Sequence, residues 1–151
     1  MNTTSPLRHV VIGVGAGIFG AHLRGLQLET AKLVAVSDID AEKGNMRAAE
    51  LGCAFFHDHN TMLAETKPDI AVILTPHPFH ASVAIDCLNA GCHALVEKPM
   101  AVQVAEADAM IAAAARAQCL LAVNFQQRLR PAVRAAKRLI QQGELLSLIH
   151  I

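Results

Sequence analysis

Residues 9–20 are His9-Val10-Val11-Ile12-Gly13-Val14-Gly15-Ala16-Gly17-Ile18-Phe19-Gly20, an apolar run that passes into a glycine-rich turn before a helical pattern begins near Ala21. Glycine permits a positive φ and leaves room for a ligand to come close to the backbone. The first turn of the following helix offers unpaired N–H groups and the positive end of the helix dipole, which together suit a phosphate group. The stretch therefore predicts a strand–turn–helix unit that binds a nucleotide, and it specifies no chemistry.

The glycine spacing fits a dinucleotide fingerprint in two ways. Gly15, Gly17 and Gly20 match G-x-G-x-x-G strictly, whereas Gly13 and Gly15 match its start if one residue is inserted afterwards. Either alignment places Gly15 in the phosphate loop. We expect Gly20, on the helix, to allow close packing against the first strand, which is the usual task of the third glycine.

An acidic residue stands where the fingerprint requires one. The buried-strand pattern of residues 33–38 ends in Asp38, 23 residues after Gly15, and an acid at that point hydrogen-bonds the ribose hydroxyls of the adenosine. Asp38 would repel a 2′-phosphate, and the next residue is Ile39 rather than an arginine that could accept one, so NAD is favoured over NADP. The alternative is that Asp38 only begins a turn with Asp40 and caps the next helix.

Composition and charge narrow the class of protein. The chain has 151 residues, 53% hydrophobic and 17% charged, with no Trp or Tyr and a net charge of zero, which predicts one domain with an aliphatic core. The sequence has no basic stripe and no aromatic ladder, the patterns that would indicate nucleic acid as a partner. It also has no apolar stretch long enough for a membrane span or for the core of a signal peptide. The four cysteines form no C-x-x-C pair and are interpreted as reduced, which favours a cytoplasmic protein.

Short apolar runs alternate with longer segments of helical period along the chain. The runs are continuous rather than alternating in polarity, as expected of strands covered on both faces. Strands are predicted near residues 8–14, 32–37, 53–56, 70–74, 93–96 and 120–124, and helices near 18–27, 41–51, 60–65, 78–90, 103–117 and 131–142. Right-handed crossovers turn this β-α-β alternation into an α/β fold, a Rossmann-type doubly wound parallel sheet of strand order 3-2-1-4-5-6.

Ligands bind outside the carboxyl ends of the strands in such a sheet, so the residues just past each run are candidates for the site. Residues 75–80 (Thr-Pro-His-Pro-Phe-His) follow the fourth run, and Glu97-Lys98-Pro99 follows the fifth. Successive strand residues face opposite sides, so Glu97 and Lys98 cannot point the same way, and one of them should reach the ligand.

The histidines also raise a metal hypothesis, because His57-Asp58-His59 and the pair His77 and His80 are each close in sequence. No carboxylate or cysteine stands at zinc-site spacing around His57 and His59. We therefore predict no metal site and interpret these two histidines as polar loop residues near the adenine end of the cleft.

The chain resembles the N-terminal nucleotide-binding half of the Gfo/Idh/MocA family of NAD(P)-dependent oxidoreductases. The resemblance covers residues 8–144 and rests on the glycine loop with His22 after it, residues 35–38, Thr75-Pro76 with His80, residues 90–93 leading into Glu97-Lys98-Pro99, and residues 124–128. Glu-Lys-Pro at that position is the most diagnostic motif. The resemblance implies hydride transfer between nicotinamide and a hydroxyl carbon of a sugar, cyclitol or similar small molecule.

The resemblance also implies roles for individual residues. Lys98 would be catalytic, beside the nicotinamide and the reacting hydroxyl, and the bond from Lys98 to Pro99 would be cis; alternatively, Lys98 forms a salt bridge with a helix or with Glu97. Gln127 and Arg128 would line the substrate side, with a solvated Arg128 as the alternative. His80 alternatively starts a helix without contacting the cofactor. The residues implied in cofactor binding are Gly13, Gly15, Gly17, Ile18, Phe19, Asp38, Thr75, Pro76, His77, His80, Glu97 and Lys98.

The end of the chain departs from the family pattern. Leu146 stands where family members have glycine, and residues 145–151 resemble read-through of a truncated reading frame, the alternative being the first strand of a following domain. We expect residues 1–144 to form the dinucleotide-binding domain. We also expect the C-terminal substrate domain, through which a homo-oligomer would form, to be absent.

The missing half would carry the general acid/base and much of the substrate pocket. The isolated chain is therefore expected to bind NAD and to turn over little, because orientation supplies a large part of the rate. Two other classes share the glycine loop and Asp38. They are a non-catalytic NAD-sensing module, which does not need Lys98, and an S-adenosylmethionine-dependent methyltransferase, whose cofactor lacks phosphate.

Overall fold

In a computed structural model of the protein, residues 5–26 and 29–144 are described, and the expected tail at residues 145–151 lies outside them. Strands and helices alternate along the chain, with short 3-10 turns at His77–Phe79 and Gln126–Leu129. The strands are β1 (Leu7–Ile12), β2 (Ala31–Ser37), β3 (Ala54–Phe56), β4 (Ile70–Ile73), β5 (His93–Glu97) and β6 (Leu121–Asn124). The helices are α1 (Phe19–Leu26), α2 (Ala41–Leu51), α3 (His59–Thr66), α4 (His80–Asn89), α5 (Val104–Ala117) and α6 (Pro131–Gln141).

The six strands form one parallel sheet in the order β3-β2-β1-β4-β5-β6. This confirms the predicted strand order and the Rossmann-type architecture. The order reverses between β1 and β4, and a crevice opens at such a switch point outside the carboxyl ends of the strands. The site is therefore expected beyond Ile12 and Ile73, which pair at the ends of β1 and β4.

Strand residues alternate between two buried layers. Val10 and Ile12 of β1 face the core covered by α3, α4 and α5, and Val11 faces the core that α1 and α2 cover. Burial of apolar surface is the dominant favourable term in folding, at roughly 25 cal/mol per Å². Because both faces of the central strands are covered, their sequences are continuous apolar runs.

Helix boundaries follow local hydrogen bonding. Asp40 accepts a bond from the backbone N–H of Lys43 (3.1 Å), and α2 begins directly after it. The predicted helix over residues 78–90 begins two residues later than expected. Residues 77–79 form a 3-10 turn that leads into α4 at His80.

Gly13 is the glycine that permits a close approach. Its φ is +90°, and a Cβ atom there would lie 2.8 Å from the backbone nitrogen of Thr75 and 2.9 Å from the carbonyl carbon of Leu74, just past β4. This conformation ends β1 at Ile12, two residues before the predicted end. The expectation for Gly20 was wrong, because no atom of another element among the described residues lies within 4 Å of a Cβ placed there.

Two further observations concern the whole of the described chain. None of its helices combines the length and the apolar character needed to cross a membrane. All four cysteines have free thiols, and burial raises the pKa of the Cys92 thiol to about 12. Because the thiolate is the reactive form, Cys92 is a packing residue.

Gly13→Ala is expected to destabilise the protein more than Gly52→Ala, by at least about 2 kcal/mol in the free energy of unfolding. Both glycines have positive φ, but a Cβ at Gly52 meets open space, whereas one at Gly13 overlaps backbone atoms. Gly52→Ala therefore measures the cost of the backbone conformation alone, about 1–2 kcal/mol. Urea denaturation followed by circular dichroism gives both values, and equal losses in the two variants would contradict the close approach.

Candidate functional site

Two adjoining cavities open at the carboxyl edge of the sheet, one of about 560 Å³ and one of about 240 Å³. Both are lined by Ala16 from the glycine turn and by Leu74, Thr75 and Pro76 after β4. They therefore form one cleft across the switch point of the sheet, which we call the edge cleft. Its larger part lies beyond β2, and its smaller part lies beyond β5.

The larger part of the edge cleft contains the predicted acid and two of the predicted glycines. Asp38, Gly13 and Gly15 line it, together with side chains that the sequence did not single out for the site. Among these, Ile39 is 87% exposed and Phe79 is 55% exposed. Large apolar side chains left open in a cleft suit a flat ring. The only sequence signal was their position in the segments that follow β2 and β4.

His57 and His59 also line the larger part of the edge cleft, beside Asp38. The Nε2 atom of His59 lies 3.0 Å from Oδ2 of Asp86, which links α3 to α4. In the part of the chain that the structure describes, no group of three or more His, Cys, Asp or Glu side chains could hold a metal ion.

The Asp38 carboxylate is fixed by two backbone N–H groups. Its Oδ2 accepts a bond from Gly15 (2.6 Å), and its Oδ1 accepts one from Asp40 (2.9 Å). A carboxylate has about four acceptor positions, so each oxygen can accept a further bond. The turn with Asp40 is present, but Asp40 and not Asp38 caps α2. Asp38 is therefore left to face the cleft.

The remaining residues of the glycine turn have different surroundings. Ile18 lines the smaller part of the edge cleft, whereas the side chain of Phe19 is buried in the core that α1 covers. The backbone N–H of Phe19 donates to the carbonyl of Ala16 (3.1 Å), so it is not an unpaired donor for a phosphate. Gly17 is exposed, and no atom among the described residues lies within 4 Å of a Cβ placed there.

The smaller part of the edge cleft is lined by His77, His80, Glu97 and Lys98 as well as Ile18. Glu97 is buried and Lys98 is exposed, and both line this part of the cleft, so which of the two reaches a ligand stays a prediction. The peptide bond from Lys98 to Pro99 is cis, as the resemblance implied. Among the described residues, no carboxylate forms a salt bridge with the Lys98 ammonium. Its charge therefore remains available to a ligand.

Glu97 joins three elements beside the cleft. Its Oε1 accepts a bond from Nδ2 of Asn124 in β6 (2.6 Å) and lies 2.8 Å from Nε2 of His22 in α1. Its Oε2 accepts a bond from the backbone N–H of Lys98 (3.1 Å). Burial raises the pKa of Glu97, but the bonds from Asn124, His22 and Lys98 outweigh burial and lower the pKa below its ordinary value of 4.5. Glu97 is thus a buried carboxylate that accepts three bonds from protein donors.

His80 is completely buried, at 0% exposure, although its residue number places it at the start of α4. Its Nδ1 lies 2.7 Å from the carbonyl oxygen of Pro99, and its Nε2 lies 2.8 Å from the carbonyl oxygen of Thr75. A carbonyl oxygen only accepts and a neutral imidazole carries one N–H, so the neutral ring donates to one of these two carbonyls and only the imidazolium donates to both. Both nitrogens therefore face the backbone, and the ring borders the cleft with its carbon edge.

Gln127 and Arg128 are not among the residues that line the edge cleft. They lie in the 3-10 turn after β6, where the Arg128 guanidinium stands 5.1 Å from the centre of the Phe125 ring. Arg128 lines a separate cavity with residues of α6. Their role on the substrate side stays a prediction.

The edge cleft fits a dinucleotide. The Oγ1 atom of Thr75 is buried without a hydrogen-bond partner among the described residues, and Thr75 lies where the two parts of the cleft meet. A buried hydroxyl without a partner is rare and suits a ligand oxygen. Asp38 has acceptor positions for a ribose diol, and the turn at Gly13 and Gly15 leaves room for a pyrophosphate between the ends of the cleft.

Comparison with known families gives a match over residues 7–125. The matching family is GFO_IDH_MocA, described as an oxidoreductase family with an NAD-binding Rossmann fold. The match covers most of the chain and includes the glycine turn, Asp38 and the Glu97-Lys98-Pro99 motif.

Three similar proteins illustrate the range of relatives. UDP-N-acetylglucosamine 3-dehydrogenase of Acidithiobacillus ferrooxidans is 38% identical over 84% of this chain, and inositol 2-dehydrogenase 1 of Saccharopolyspora erythraea is 32% identical over 87% of it. The WlbA dehydrogenase of Bordetella pertussis, solved with NADH and UDP-GlcNAcA, superposes on 92% of this chain with a TM-score of 0.87 and 29% identity. The chain spans only 39%, 41% and 43% of these proteins, respectively.

Glu97→Gln is expected to flatten the acid side of the stability curve. Because the pKa of Glu97 in the folded protein lies below its ordinary value of 4.5, the stabilisation is fully present above that pH and is lost as the pH falls through the folded pKa. One such group changes the free energy of unfolding by at most about 1.4 kcal/mol per pH unit.

Urea denaturation of wild type and Glu97→Gln across the acid range measures this effect. The difference in stability between the two proteins should be constant near neutral pH and should shrink as the solution becomes more acidic. A difference that does not change with pH would contradict the assignment of Glu97 as a stabilised carboxylate.

Proposed function

The chain belongs to the Gfo/Idh/MocA family of oxidoreductases, and we propose that it is the nucleotide-binding half of an enzyme that transfers hydride between NAD and a hydroxyl carbon of a sugar or cyclitol. One observation carries this proposal: the edge cleft has Asp38 in one part, Lys98 in the other and the glycine turn between them. An acid for the adenosine ribose and a cation for the reacting oxygen are what such an enzyme needs at the two ends of its cofactor.

The surroundings of Asp38 support NAD rather than NADP. Two backbone bonds hold its carboxylate in place, so it cannot turn away from a 2′-phosphate. The ammonium of Lys43, which lines the same part of the cleft, pairs with Asp40 at 2.9 Å, so a 2′-phosphate would have to compete with this carboxylate for it. We assign the adenine to the wall formed by Ile39 and Phe79, whose exposed apolar surfaces suit its ring.

Lys98 is the residue to which we assign the chemistry. Nicotinamide, when bound, accepts or supplies the hydride. The Lys98 ammonium would donate a hydrogen bond to the reacting hydroxyl and stabilise the negative charge that develops on its oxygen. Oxidation of the hydroxyl also releases its proton, which we assign to a base of the C-terminal substrate domain. Glu97 would not accept this proton, because its pKa lies below the ordinary value of a carboxyl group and makes it a weak base.

The substrate class is proposed from the relatives. Two of them are named for dehydrogenation of UDP-N-acetylglucosamine and of inositol, both of which carry several hydroxyl groups on a ring. Because the chain spans about two fifths of such proteins, we propose that a further domain supplies the second wall of the substrate pocket. The dinucleotide-binding domain would then be residues 1–144.

Asp38→Asn is expected to weaken the binding of NAD at least about tenfold, because a hydrogen bond to a charged group contributes roughly 1.5–3 kcal/mol. ADP-ribose contains the same adenosine ribose and should lose as much affinity. Isothermal titration calorimetry measures both ligands. Heat from S-adenosylmethionine and none from NAD would instead favour a methyltransferase.

Asp58→Asn is the matched control for this experiment. Asp58 follows β3 and caps α3, but it does not line the edge cleft. Its variant should bind NAD within about twofold of wild type, because the Asn side chain can still cap α3 and does not line the cleft. Equal losses in the two variants would refute the role of Asp38.

The chain alone is expected to bind NAD without measurable hydride transfer to or from inositol or UDP-N-acetylglucosamine. A cofactor held on one side only does not fix a substrate carbon at reacting distance, and orientation supplies a large part of such a rate. The absorbance of NADH reports turnover. Clear turnover that Lys98→Ala abolishes would show that this half carries the chemistry by itself.

A further inference from the structure

We propose that His80 is a positioning residue that holds Lys98 at the smaller part of the edge cleft, an inference that rests on the proposed function. The ring joins the carbonyl of Thr75, after β4, to the carbonyl of Pro99, after β5. Thr75 and Lys98 line the smaller part of the cleft from these two strands. One rigid side chain thus fixes the relative position of two walls of the site.

The backbone at Lys98 is held on both sides. Before it, the Oε2 atom of Glu97 accepts a bond from the Lys98 N–H (3.1 Å). After it, the carbonyl of Pro99 accepts the bond from Nδ1 of His80 (2.7 Å). The Lys98 side chain itself is exposed and, among the described residues, has no acidic partner. Glu97 and His80 therefore fix the backbone from which this side chain extends.

The bonding of His80 distinguishes this role from a direct contact with the cofactor. The side chain is 0% exposed, and each ring nitrogen is within 2.8 Å of a backbone carbonyl. A ligand could reach neither nitrogen without breaking one of these bonds. An effect of the ring nitrogens on the nicotinamide end must therefore pass through the backbone at Thr75 or through Pro99 and Lys98.

The test compares two ligands that differ at one end. ADP-ribose contains the adenosine and pyrophosphate but no nicotinamide, and NADH adds a reduced ring that carries no charge beside the Lys98 ammonium. The ratio of the dissociation constant for ADP-ribose to that for NADH isolates the nicotinamide end. Calorimetry on the whole chain gives both constants, and denaturation curves verify that each variant is folded.

His80→Gln and His80→Asn form a matched pair. The amide nitrogen of Asn stands near the place of Nδ1 and can still donate to the carbonyl of Pro99, whereas the amide nitrogen of Gln stands near Nε2 and can donate only to Thr75. We expect His80→Gln to lower the ratio at least about threefold and to leave ADP-ribose binding unchanged within about twofold, and His80→Asn to keep the ratio near that of wild type.

A double variant shows whether His80 acts through Lys98. Lys98→Ala should lower the ratio, and adding His80→Gln to it should cause no further loss, because residues that act through one another are not additive. Additive losses would overturn the proposal. So would equal ratios for His80→Gln and wild type, or equal losses for His80→Gln and His80→Asn.

The wild-type chain supplies three further outcomes without any variant. Nuclear magnetic resonance should show a slowly exchanging proton on Nδ1 of His80, and a bare Nδ1 would overturn the bond to Pro99. Equal affinity for NADH and ADP-ribose would overturn the positioning role while leaving the adenosine site intact. Binding of neither ligand by the folded chain would overturn the proposed function and the positioning role with it.

Discussion

The contact of Gly13 with the backbone at Leu74 and Thr75 is the constraint on which the rest of the site depends. It brings the ends of β1 and β4 together at the point where the strand order reverses. Leu74 and Thr75 consequently form the shared wall of both parts of the edge cleft. The carbonyl oxygen of Thr75 lies within hydrogen-bond distance of Nε2 of His80, and Nδ1 of the same ring lies within hydrogen-bond distance of the carbonyl oxygen of Pro99. A chain of backbone contacts thus connects the glycine turn with Lys98.

The sequence predicted the fold well because its signals are local and repeated. Apolar runs bounded by helical segments are found in every strand of the sheet, and in the central strands β1 and β4 their continuity reports burial on both faces. The positions of Asp38 and Lys98 followed from the same reasoning, since residues just past a strand must lie at the carboxyl edge. Gly20 shows the limit of spacing arguments, because its place in a motif did not reveal whether an atom of another element lies beside it.

The parts of the site that could not be predicted depend on contacts between distant segments. Glu97 forms hydrogen bonds with His22, 75 residues away, and with Asn124, 27 residues away. No local sequence pattern predicts either partner. Similarly, His80 was predicted either to contact the cofactor or to start a helix without such a contact, and neither prediction included its two carbonyl partners and complete burial. In contrast, both ring nitrogens of His9 are buried without a hydrogen-bond partner among the described residues. Buried polar side chains therefore carry more information about the site than its exposed residues do.

The bond from the Gly15 N–H to Asp38 has a kinetic consequence. It ties the glycine turn to the end of β2 through the protein's own groups, so the turn has a defined shape. When a ligand binds to a surface that is already formed, little conformational entropy of the protein is lost in ordering that surface. Association with such a surface needs no slow rearrangement, and differences in affinity among related ligands then arise mainly from how long each one stays. The residence time of the dinucleotide, rather than the speed of its capture, is the quantity that this turn controls.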